Sequence, residues 1–374
     1  LSTTWYLLIE IIIRTTQKPS NRYSCLNLNN IMSSTQQSAF TLHTSFSPLL
    51  SLYDTFLLDQ FGVIHNGSES LHGAKDCILE MVNKNKRMAI LSNTSSPSHV
   101  AKQRLPKYGL SSDMFEGGLV SSGEECAKFV REERRRRKMK KALWLTWQES
   151  EKQNPMQFLS YCESGGHDGN DDASSRDLMI DVAESVEEAD FILLHGSEVW
   201  RKCRELTSTP ASDDELVDLN FLFNKDFTVI DNLLEEALQR SLPMVCANPD
   251  FLVGLPKGVM GNMPGAIAHR YEQKGGFVHQ FGKPNTRHFH ACLKNLGISF
   301  DTNAKSIPRV AHVGDSLEHD IVGANAAGID SVFVLGGIHA EELGLRATSS
   351  KSDECGIVIR EDEDDSNAID RQSD

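Results

Sequence analysis

Five side chains that could do chemistry stand at or just beyond the ends of short apolar runs. Asp59 follows "TFLL", Ser92 follows "MAIL", Asp315 follows "VAHVG" and Lys283 follows "FVHQFG". Asp320 lies five residues after Asp315, on the first turn of a predicted helix. Loops at the carboxyl ends of parallel strands meet along one edge of a sheet, so we expect these side chains to converge.

This set of residue types indicates phosphate chemistry. Three carboxylates gathered at one place repel one another strongly unless a cation lies between them. A hard divalent ion suits oxygen ligands, and Mg²⁺ typically combines one or two carboxylates with waters and substrate phosphate. The ammonium of Lys283 and the hydroxyl of Ser92 would hold a second anionic group. The set therefore predicts a phosphate-ester site in which Asp59 is the nucleophile and an acyl phosphate forms.

Each of these residues also has a structural explanation when it is considered singly. Strands commonly end in an aspartate, and Lys283, which precedes Pro284, could belong to a surface turn. Asp315 and Asp320 could be ordinary acids at the positive end of a helix dipole. The phosphate-ester site is favoured because all of these features occur together, each at a predicted strand end.

Apolar runs alternate with segments of helical periodicity in the first and last thirds of the chain. The strand-like runs are "TFLLD", "RMAILSN", "GFVHQFG", "RVAHVGD" and "DSVFVLGG". Strand–helix alternation of this kind predicts an α/β fold, with a Rossmann-like, doubly wound and mostly parallel sheet covered by helices on both faces.

The middle of the chain departs from this alternation and predicts a second α/β domain inserted into the first. Residues 141–147 and 190–196 are strand-like, residues 226–241 predict a long helix, and the polar residues 163–177 predict a mobile loop. The predicted segments are a disordered or targeting N-terminus over 1–52, a first core part over 53–137, the inserted domain over 138–245, a second core part over 246–345 and an acidic disordered tail over 346–374.

Net charge argues against nucleic acid as a partner, and the length of the N-terminal apolar stretch argues against a membrane span. The 374 residues carry a formal net charge of −14, and half of it lies in the tail from Asp353, which has nine acids and two arginines. Nucleic acid is therefore not an expected partner. The apolar stretch "WYLLIEIII" near the N-terminus is too short to span a membrane.

The basic run "REERRRRKMKK" at 131–141 has two explanations. It could be a nucleic-acid or membrane patch or a nuclear signal. The favoured interpretation is a solvated helix face, partly paired to Glu132 and Glu133, since no aromatic residues separate the charges.

The expected cellular location of the protein depends on how the N-terminal segment is interpreted. Residues 1–53 contain three basic residues, one acid and many Ser, Thr and Asn residues, a composition that suits an organelle transit peptide. Alternatively, Met32 is the true start and residues 1–31 are not translated. The expected location is thus cytoplasmic, or an organelle (mitochondrion or plastid) if residues 1–52 are a real transit peptide.

The motifs around these residues resemble those of the haloacid dehalogenase (HAD) superfamily. "LLDQFGV", "ILSNT", "GKP" and "HVGDSLEHDIVGANAAG" resemble its four motifs in order, from about Tyr53 to Gly337. With "VCANPD" at 245–250, the chain is similar to subfamily IIA, whose inserted domain is a type-2 cap and whose members include phosphatases of small metabolites. The resemblance implies a small phosphorylated metabolite as the substrate and allows a homodimer.

The resemblance also implies a role for each residue that matches a motif. Asp59 would be the nucleophile, Ser92 would bind the transferred phosphoryl group, and Lys283 would neutralise that group and steady Asp59. Mg²⁺ is the implied cofactor, and its implied ligands are Asp59, the backbone carbonyl of Phe61, Asp315 and Asp320. The implied substrate-binding residues are Asn93, Thr94 and Gly62.

Phe61 departs from the pattern of the family. Phosphatases of this superfamily carry an aspartate two positions after the nucleophile, which protonates the leaving oxygen and later deprotonates the attacking water. The sequence resembles one branch of subfamily IIA with an aromatic residue at this place. Phe61 can neither protonate the leaving oxygen nor deprotonate the attacking water. General acid–base catalysis of this kind is typically worth about 10²–10⁴-fold in rate.

Three hypotheses follow from Phe61. In the first, which is favoured, the protein is a slow or atypical hydrolase in which His65 or a substrate group replaces the missing acid. In the second, the chemistry is not phosphate-monoester hydrolysis, as in dehalogenases, although Asp315 and Asp320 argue against this. In the third, the protein binds Mg²⁺ and a phosphorylated ligand without turnover, as a sensor or scaffold.

Overall fold

The computed structural model describes most of the chain between residues 40 and 340. The described residues are 8–11, 40–150, 154–164, 178–207, 212, 215–223, 226–255, 259–299, 308–340, 346–347 and 357–358. Of the helices in these ranges, none has the length and apolar character that crossing a membrane requires.

The strands are β1 (Leu8–Ile11), β2 (Phe40–His43), β3 (Thr55–Leu58), β4 (Arg87–Ser92), β5 (Leu119–Ser121), β6 (Lys141–Thr146), β7 (Asp181–Val182), β8 (Phe191–Leu194), β9 (Val199–Arg201), β10 (Leu216–Asp218), β11 (Met244–Cys246), β12 (Leu252–Leu255), β13 (Val259–Asn262), β14 (Val278–Gln280), β15 (Val310–Gly314), β16 (Asp330–Val334), β17 (Arg346–Ala347) and β18 (Ile357–Val358).

The α-helices are α1 (Leu49–Leu52), α2 (Ala74–Asn83), α3 (Ser98–Lys102), α4 (Ser122–Arg135), α5 (Pro155–Ser164), α6 (Thr228–Gln239), α7 (Pro264–Gln273), α8 (Thr286–Asn295) and α9 (Val322–Ala326). Short 3-10 turns cover Leu105–Tyr108, Ser112–Met114 and Val186–Glu188, and a π-type turn covers Leu317–Ile321.

The first sheet has the strand order β2-β1-β16-β15-β3-β4-β5. Strands β16, β15, β3, β4 and β5 are parallel to one another, whereas β1 and β2 add an antiparallel edge beside β16. Sequentially distant strands lie side by side, and helices connect them. This arrangement confirms the predicted Rossmann-like α/β core with a mostly parallel sheet.

Strand β3 lies inside this sheet and is buried on both faces. Phe56 packs on one side with Phe46, at a ring-centroid distance of 5.3 Å. Leu57 points to the other side, where it packs in a cluster with Leu91 and Phe289. Burial on both faces explains why β3 reads as a continuous apolar run rather than as an alternating one.

The inserted domain is built on a second sheet, with the order β10-β9-β6-β8-β11-β14 and with β7 beside β6. The sequence predicts that the inserted domain ends at residue 245. The structure differs, because this sheet runs from residue 141 to residue 280. The strand predicted in "GFVHQFG" belongs to this second sheet, because β14 pairs in parallel with β11. The structure also differs from the predicted start of the inserted domain at residue 138, since Val130 of α4 shares a buried cluster with Trp144 and Phe158.

Part of the predicted N-terminal segment belongs to the first domain. Phe46, Leu49 and Leu50 are buried in the same cluster as Phe56, so the packed core begins before Tyr53. Residues 1–7 and 12–39 lie outside the described residues, as does most of the tail from residue 346. The predicted polar loop also falls largely outside them, and α5 ends at Ser164.

The basic run forms the end of α4 and the turn that leads to β6. Arg136 contacts Glu132 at 3.1 Å and Glu133 at 3.0 Å. Arg134 donates hydrogen bonds to the backbone carbonyl of Met179. The ion pairs with Glu132 and Glu133 fit the favoured interpretation of a solvated helix face partly paired to its own acids, but Glu133 and Arg134 are buried rather than solvated.

Candidate active site

Neighbouring strands bring the three predicted acids to one edge of the first sheet. Leu58 of β3 lies opposite Val313 of β15, so the residues that follow these two strands are adjacent. The backbone N–H of Asp59 continues the pairing of β3 with β15, since it donates a hydrogen bond to the carbonyl of Val313 at 2.9 Å. Asp320 comes from the turn after β15, and carboxylate oxygens of Asp59, Asp315 and Asp320 lie within 4.8 Å of one another.

Lys283 joins this cluster from the loop after β14. Its ammonium lies 2.6 Å from Asp59 Oδ1 and 2.7 Å from Asp320 Oδ1, and the side chain is 2% exposed. Asp320 also contacts the imidazole of His312 at 2.6 Å and accepts a hydrogen bond from the backbone N–H of Ser316 at 3.0 Å. Lys283 is therefore an internal counter-ion and not part of a surface turn.

The buried cluster carries more negative charge than its lysine can balance. Burial raises the pKa of Asp59 well above its usual range, although Lys283 opposes the rise. Burial and then the charge of Asp320 raise the pKa of Asp315 to about 7. Burial also disfavours charge on Asp320, but Lys283 and His312 bring its pKa below the usual range. Despite burial, Asp320 and Asp59 raise the pKa of Lys283, so it stays charged.

These pKa shifts test whether a divalent cation fits the site. Burial makes two of the three carboxylates resist ionisation, and among the described residues a single ammonium group, that of Lys283, faces them. A cation bound between their oxygens would supply the missing positive charge, and three carboxylates are hard oxygen donors of the kind that Mg²⁺ takes. The donor set therefore fits Mg²⁺. The backbone carbonyl of Phe61 stays a predicted ligand.

Gly62 allows the loop after β3 to pass against Asp315. Its φ angle is +80°, and a Cβ atom added there would lie 1.8 Å from Asp315 Oδ2. Its predicted contact with substrate stays a prediction. The close approach gives Gly62 a structural role that the motif alone did not show.

We expect Gly62→Ala to disable the acidic cluster. The added methyl group and the positive φ angle would force Asp315 or the loop to move, and backbone strain of this kind costs about 1–3 kcal/mol. Metal binding, measured by calorimetry, and thermal stability should both fall. Gly297→Ala is the matched control, because Gly297 also has a positive φ angle (+64°) but has no atom within 4 Å of an added Cβ. Equal metal binding by both variants would contradict this role.

Phe61 is held by an aromatic layer rather than by a polar contact. Its ring lies edge-on to His65 with a centroid distance of 5.9 Å, and His65 stacks on Tyr108 at 4.1 Å. An added Cβ at Gly67 would lie 3.2 Å from the ring of Phe61. The layer fixes a hydrocarbon at the position two residues after Asp59.

His65 is a poor replacement for the missing acid. Its Nδ1 accepts a hydrogen bond from the backbone N–H of Gly67 at 3.1 Å. Burial, and then the charges of Lys107 and Arg104, lower its pKa to about 4. The ring is therefore neutral at pH 7, and its packing favours a structural role.

Ser92, Asn93 and Thr94, at the end of β4 and just after it, have different surroundings. Ser92 ends β4 beside β3, and it is buried at the same sheet edge as Asp59. The Asn93 side chain is fully engaged, since it accepts from the N–H of Lys283 at 2.7 Å and donates to the Asp250 carboxylate at 2.7 Å. Thr94 Oγ1 accepts from the N–H of Ser96 at 3.3 Å. Asn93 thus connects the loop after β4 to the loops that carry Lys283 and Asp250. A substrate contact for Asn93 or Thr94 stays a prediction.

Asp250 and His312 were not among the predicted site residues. Asp250 belongs to "VCANPD", which contributed to the resemblance but carried no chemical prediction, and it reaches the site through Asn93. His312 lies inside β15 and is fully buried. Nothing in the local sequence distinguishes it from a core histidine.

Two models of protein families match separate parts of this chain. Residues 56–154 match the haloacid dehalogenase-like hydrolase model, and residues 280–354 match a HAD-hydrolase-like model. A comparison with curated protein sequences gave no significant match.

Solved structures show the same fold. A haloacid dehalogenase-like hydrolase from Brucella suis 1330 is similar with 21% identity and a TM-score of 0.57, over 79% of this chain and 89% of that one. A possible sugar phosphatase of the HAD superfamily from Cytophaga hutchinsonii ATCC 33406 has 19% identity and a TM-score of 0.51, over 77% and 86%. Two segments of this chain therefore match models of HAD-like hydrolases, and its fold agrees with that of the solved HAD-superfamily structures.

Proposed function

We propose that this chain is a Mg²⁺-dependent hydrolase that acts on a small phosphorylated metabolite through an aspartyl phosphate at Asp59. The observation that carries the proposal is the convergence of Asp59, Asp315 and Asp320 around the ammonium of Lys283. The matches to two models of HAD-like hydrolases support it, and Phe61 makes the enzyme slow or atypical.

The metal would be held by Asp59, Asp315 and Asp320, with the Phe61 carbonyl as the fourth protein ligand. When bound, it would supply positive charge that screens the substrate phosphate from these carboxylates. Lys283 contributes a fixed charge of the same sign, because its two short contacts leave the ammonium little freedom.

Asp59 performs the covalent step in this proposal. A carboxylate oxygen attacks phosphorus, a P–O bond to the carboxylate forms, and the P–O bond to the leaving group breaks. Ser92 would hold the transferred group by its hydroxyl. Water then attacks the phosphorus of the aspartyl phosphate and releases inorganic phosphate, which returns Asp59 to its carboxylate form.

Phe61 affects both halves of this cycle. The leaving oxygen receives no proton from a hydrocarbon ring, and neutral His65 does not replace the acid. The attacking water also lacks a base at this position. Both steps are therefore slower than in a site with a carboxyl group at residue 61, and esters with stable leaving anions are the better substrates.

The proposal is tested with purified protein and a panel of phosphate esters, including p-nitrophenyl phosphate, with Mg²⁺ or with EDTA. We expect slow phosphate release that needs Mg²⁺ and disappears in Asp59→Asn, whose side chain has the same size but cannot attack phosphorus. Equal background release from the two proteins would overturn the hydrolase proposal. Mg²⁺-dependent binding of an ester without release would favour the sensor or scaffold instead.

A further inference from the structure

A buried histidine contacts the acidic cluster from the middle of a strand that is otherwise apolar. His312 is the third residue of β15, and its side chain is fully buried. Its ring packs edge-on against Phe289 with a centroid distance of 5.0 Å. Buried strands of parallel sheets are usually built from Val, Ile and Leu, so the imidazole at this position needs an explanation other than packing.

The two ring nitrogens of His312 have different surroundings. Nε2 lies 2.6 Å from Asp320 Oδ1, whereas Nδ1 is buried and has no hydrogen-bond partner among the described residues. A carboxylate beside a charged lysine accepts hydrogen bonds and does not donate them, so the proton lies on Nε2. A buried nitrogen without a partner costs stability, and an apolar side chain would avoid that cost. The N–H that faces Asp320 is what the imidazole adds.

The hydrogen bonds of Asp320 are divided unequally between its two oxygens. Oδ1 accepts from His312 and also from Lys283 Nζ at 2.7 Å. Oδ2 accepts from the backbone N–H of Ser316 at 3.0 Å. A carboxylate oxygen has about two acceptor sites, so His312 and Lys283 fill those of Oδ1. The oxygen that stays available to a metal ion, or to a water bound to it, is therefore Oδ2.

The strand itself supports the carboxylate of Asp320. A Cβ atom added at Gly314 would lie 2.1 Å from Asp320 Cγ and 2.6 Å from Oδ1, so the carboxylate packs directly against β15. Lys283 is shared with Asp59, which lies 2.6 Å from its ammonium. His312 belongs to the same strand as Gly314, and its hydrogen bond goes to Asp320. His312 is therefore the side chain placed to fix Oδ1 from a rigid element.

We infer that His312 is a positioning residue for the metal centre, in which its Nε2–H holds Oδ1 of Asp320 and so keeps Oδ2 available to Mg²⁺ or to a water bound to it. The inference rests on the Mg²⁺ site of the proposed function and deepens it, but it does not depend on turnover. Removing a side chain that hydrogen-bonds to a metal ligand typically costs about 10–100-fold in metal affinity.

The test is calorimetric titration of MgCl₂ into metal-free protein without substrate. In His312→Leu we expect the Kd for Mg²⁺ to rise about 10–100-fold. Glutamine can place an amide N–H close to the position of Nε2, so His312→Gln should bind Mg²⁺ more tightly than His312→Leu does. If His312 only filled the core, the apolar leucine would be tolerated at least as well as glutamine. Equal affinities of the two variants, or tighter binding by His312→Leu, would therefore overturn the inference.

His195→Leu is the matched control. His195 is also a buried histidine with a hydrogen-bonded ring, since its Nδ1 lies 2.8 Å from Thr146 Oγ1, but it belongs to the inserted domain. The same change there should leave the Kd for Mg²⁺ as it is in the wild type. Equal weakening by His195→Leu and His312→Leu would show that the contact with Asp320 is not the cause. If the wild type itself binds no Mg²⁺, the metal site of the proposed function fails together with this inference.

A measurement on the wild type covers the case in which His312→Leu does not fold. Nitrogen NMR spectra of protein with labelled histidine report which ring nitrogen carries the proton, and the signal of His312 is the one absent from His312→Gln. We expect the proton on Nε2, and a shift of this signal when Mg²⁺ is added that EDTA reverses. A proton on Nδ1, or a signal that Mg²⁺ leaves unchanged, would contradict the role of His312.

Discussion

Phe61→Asp should raise the rate of phosphate-ester hydrolysis by about 10²–10⁴-fold, the range that one general acid–base group typically contributes. The new carboxyl group would stand two residues after Asp59, beside the cluster of three acids. It would protonate the departing oxygen and then accept a proton from the water that attacks the aspartyl phosphate. The largest gain is expected for alkyl phosphates, because their leaving groups are the most basic.

The control is Phe61→Asn, which matches aspartate in size and removes the same ring from its contact with His65. Steady-state rates would be measured for each protein with an alkyl and an aryl phosphate. If Phe61→Asp is no faster than Phe61→Asn, the missing acid–base group does not limit the reaction, and the cleft serves another purpose.

Lys283→Met should lower both activity and stability. The ammonium contacts two buried carboxylates, and methionine keeps the apolar length of the chain but leaves Asp59 and Asp320 without a counter-ion. Breaking a buried pair in this way costs about 3–5 kcal/mol of folding free energy. Activity should fall about 10²–10³-fold, as it does when one preorganised group that stabilises charge is removed.

Mg²⁺ distinguishes the electrostatic explanation from simple loss of packing. If negative charge destabilises Lys283→Met, adding Mg²⁺ should raise its melting temperature more than it raises that of the wild type. The control Lys75→Met changes an exposed lysine of α2 and should behave as the wild type does. A variant as stable and as active as the wild type would contradict the assigned role of Lys283.

Much of the candidate site could be predicted because its residues follow strongly apolar strands. β3, β4 and β15 are buried, so their sequences are continuous apolar runs and their ends are well defined. Parallel pairing then places Asp59 and Asp315 side by side whatever the details of packing. Such strand ends are visible in a single sequence because they depend on local composition.

Contacts between distant segments could not be predicted in this way. The sequence predicts β14 in the first sheet, but β14 pairs with β11 of the second, because a three-residue strand carries no signal of which neighbour it will join. Asn93 reaches Lys283 across 190 residues and Asp250 across 157, and neither pairing leaves a local pattern. The boundaries of the inserted domain depend on these same distant contacts.

The role of Asp59 is tested most directly by trapping the phosphorylated protein. Wild-type protein turning over p-nitrophenyl phosphate with Mg²⁺ would be quenched in acid and digested, and its peptides would be weighed by mass spectrometry. We expect one phosphoryl group on the peptide that contains Asp59, more of it than in Phe61→Asp, and none in Asp59→Asn. Phosphate release with an unmodified Asp59 peptide, or a phosphoryl group on another residue, would contradict the account.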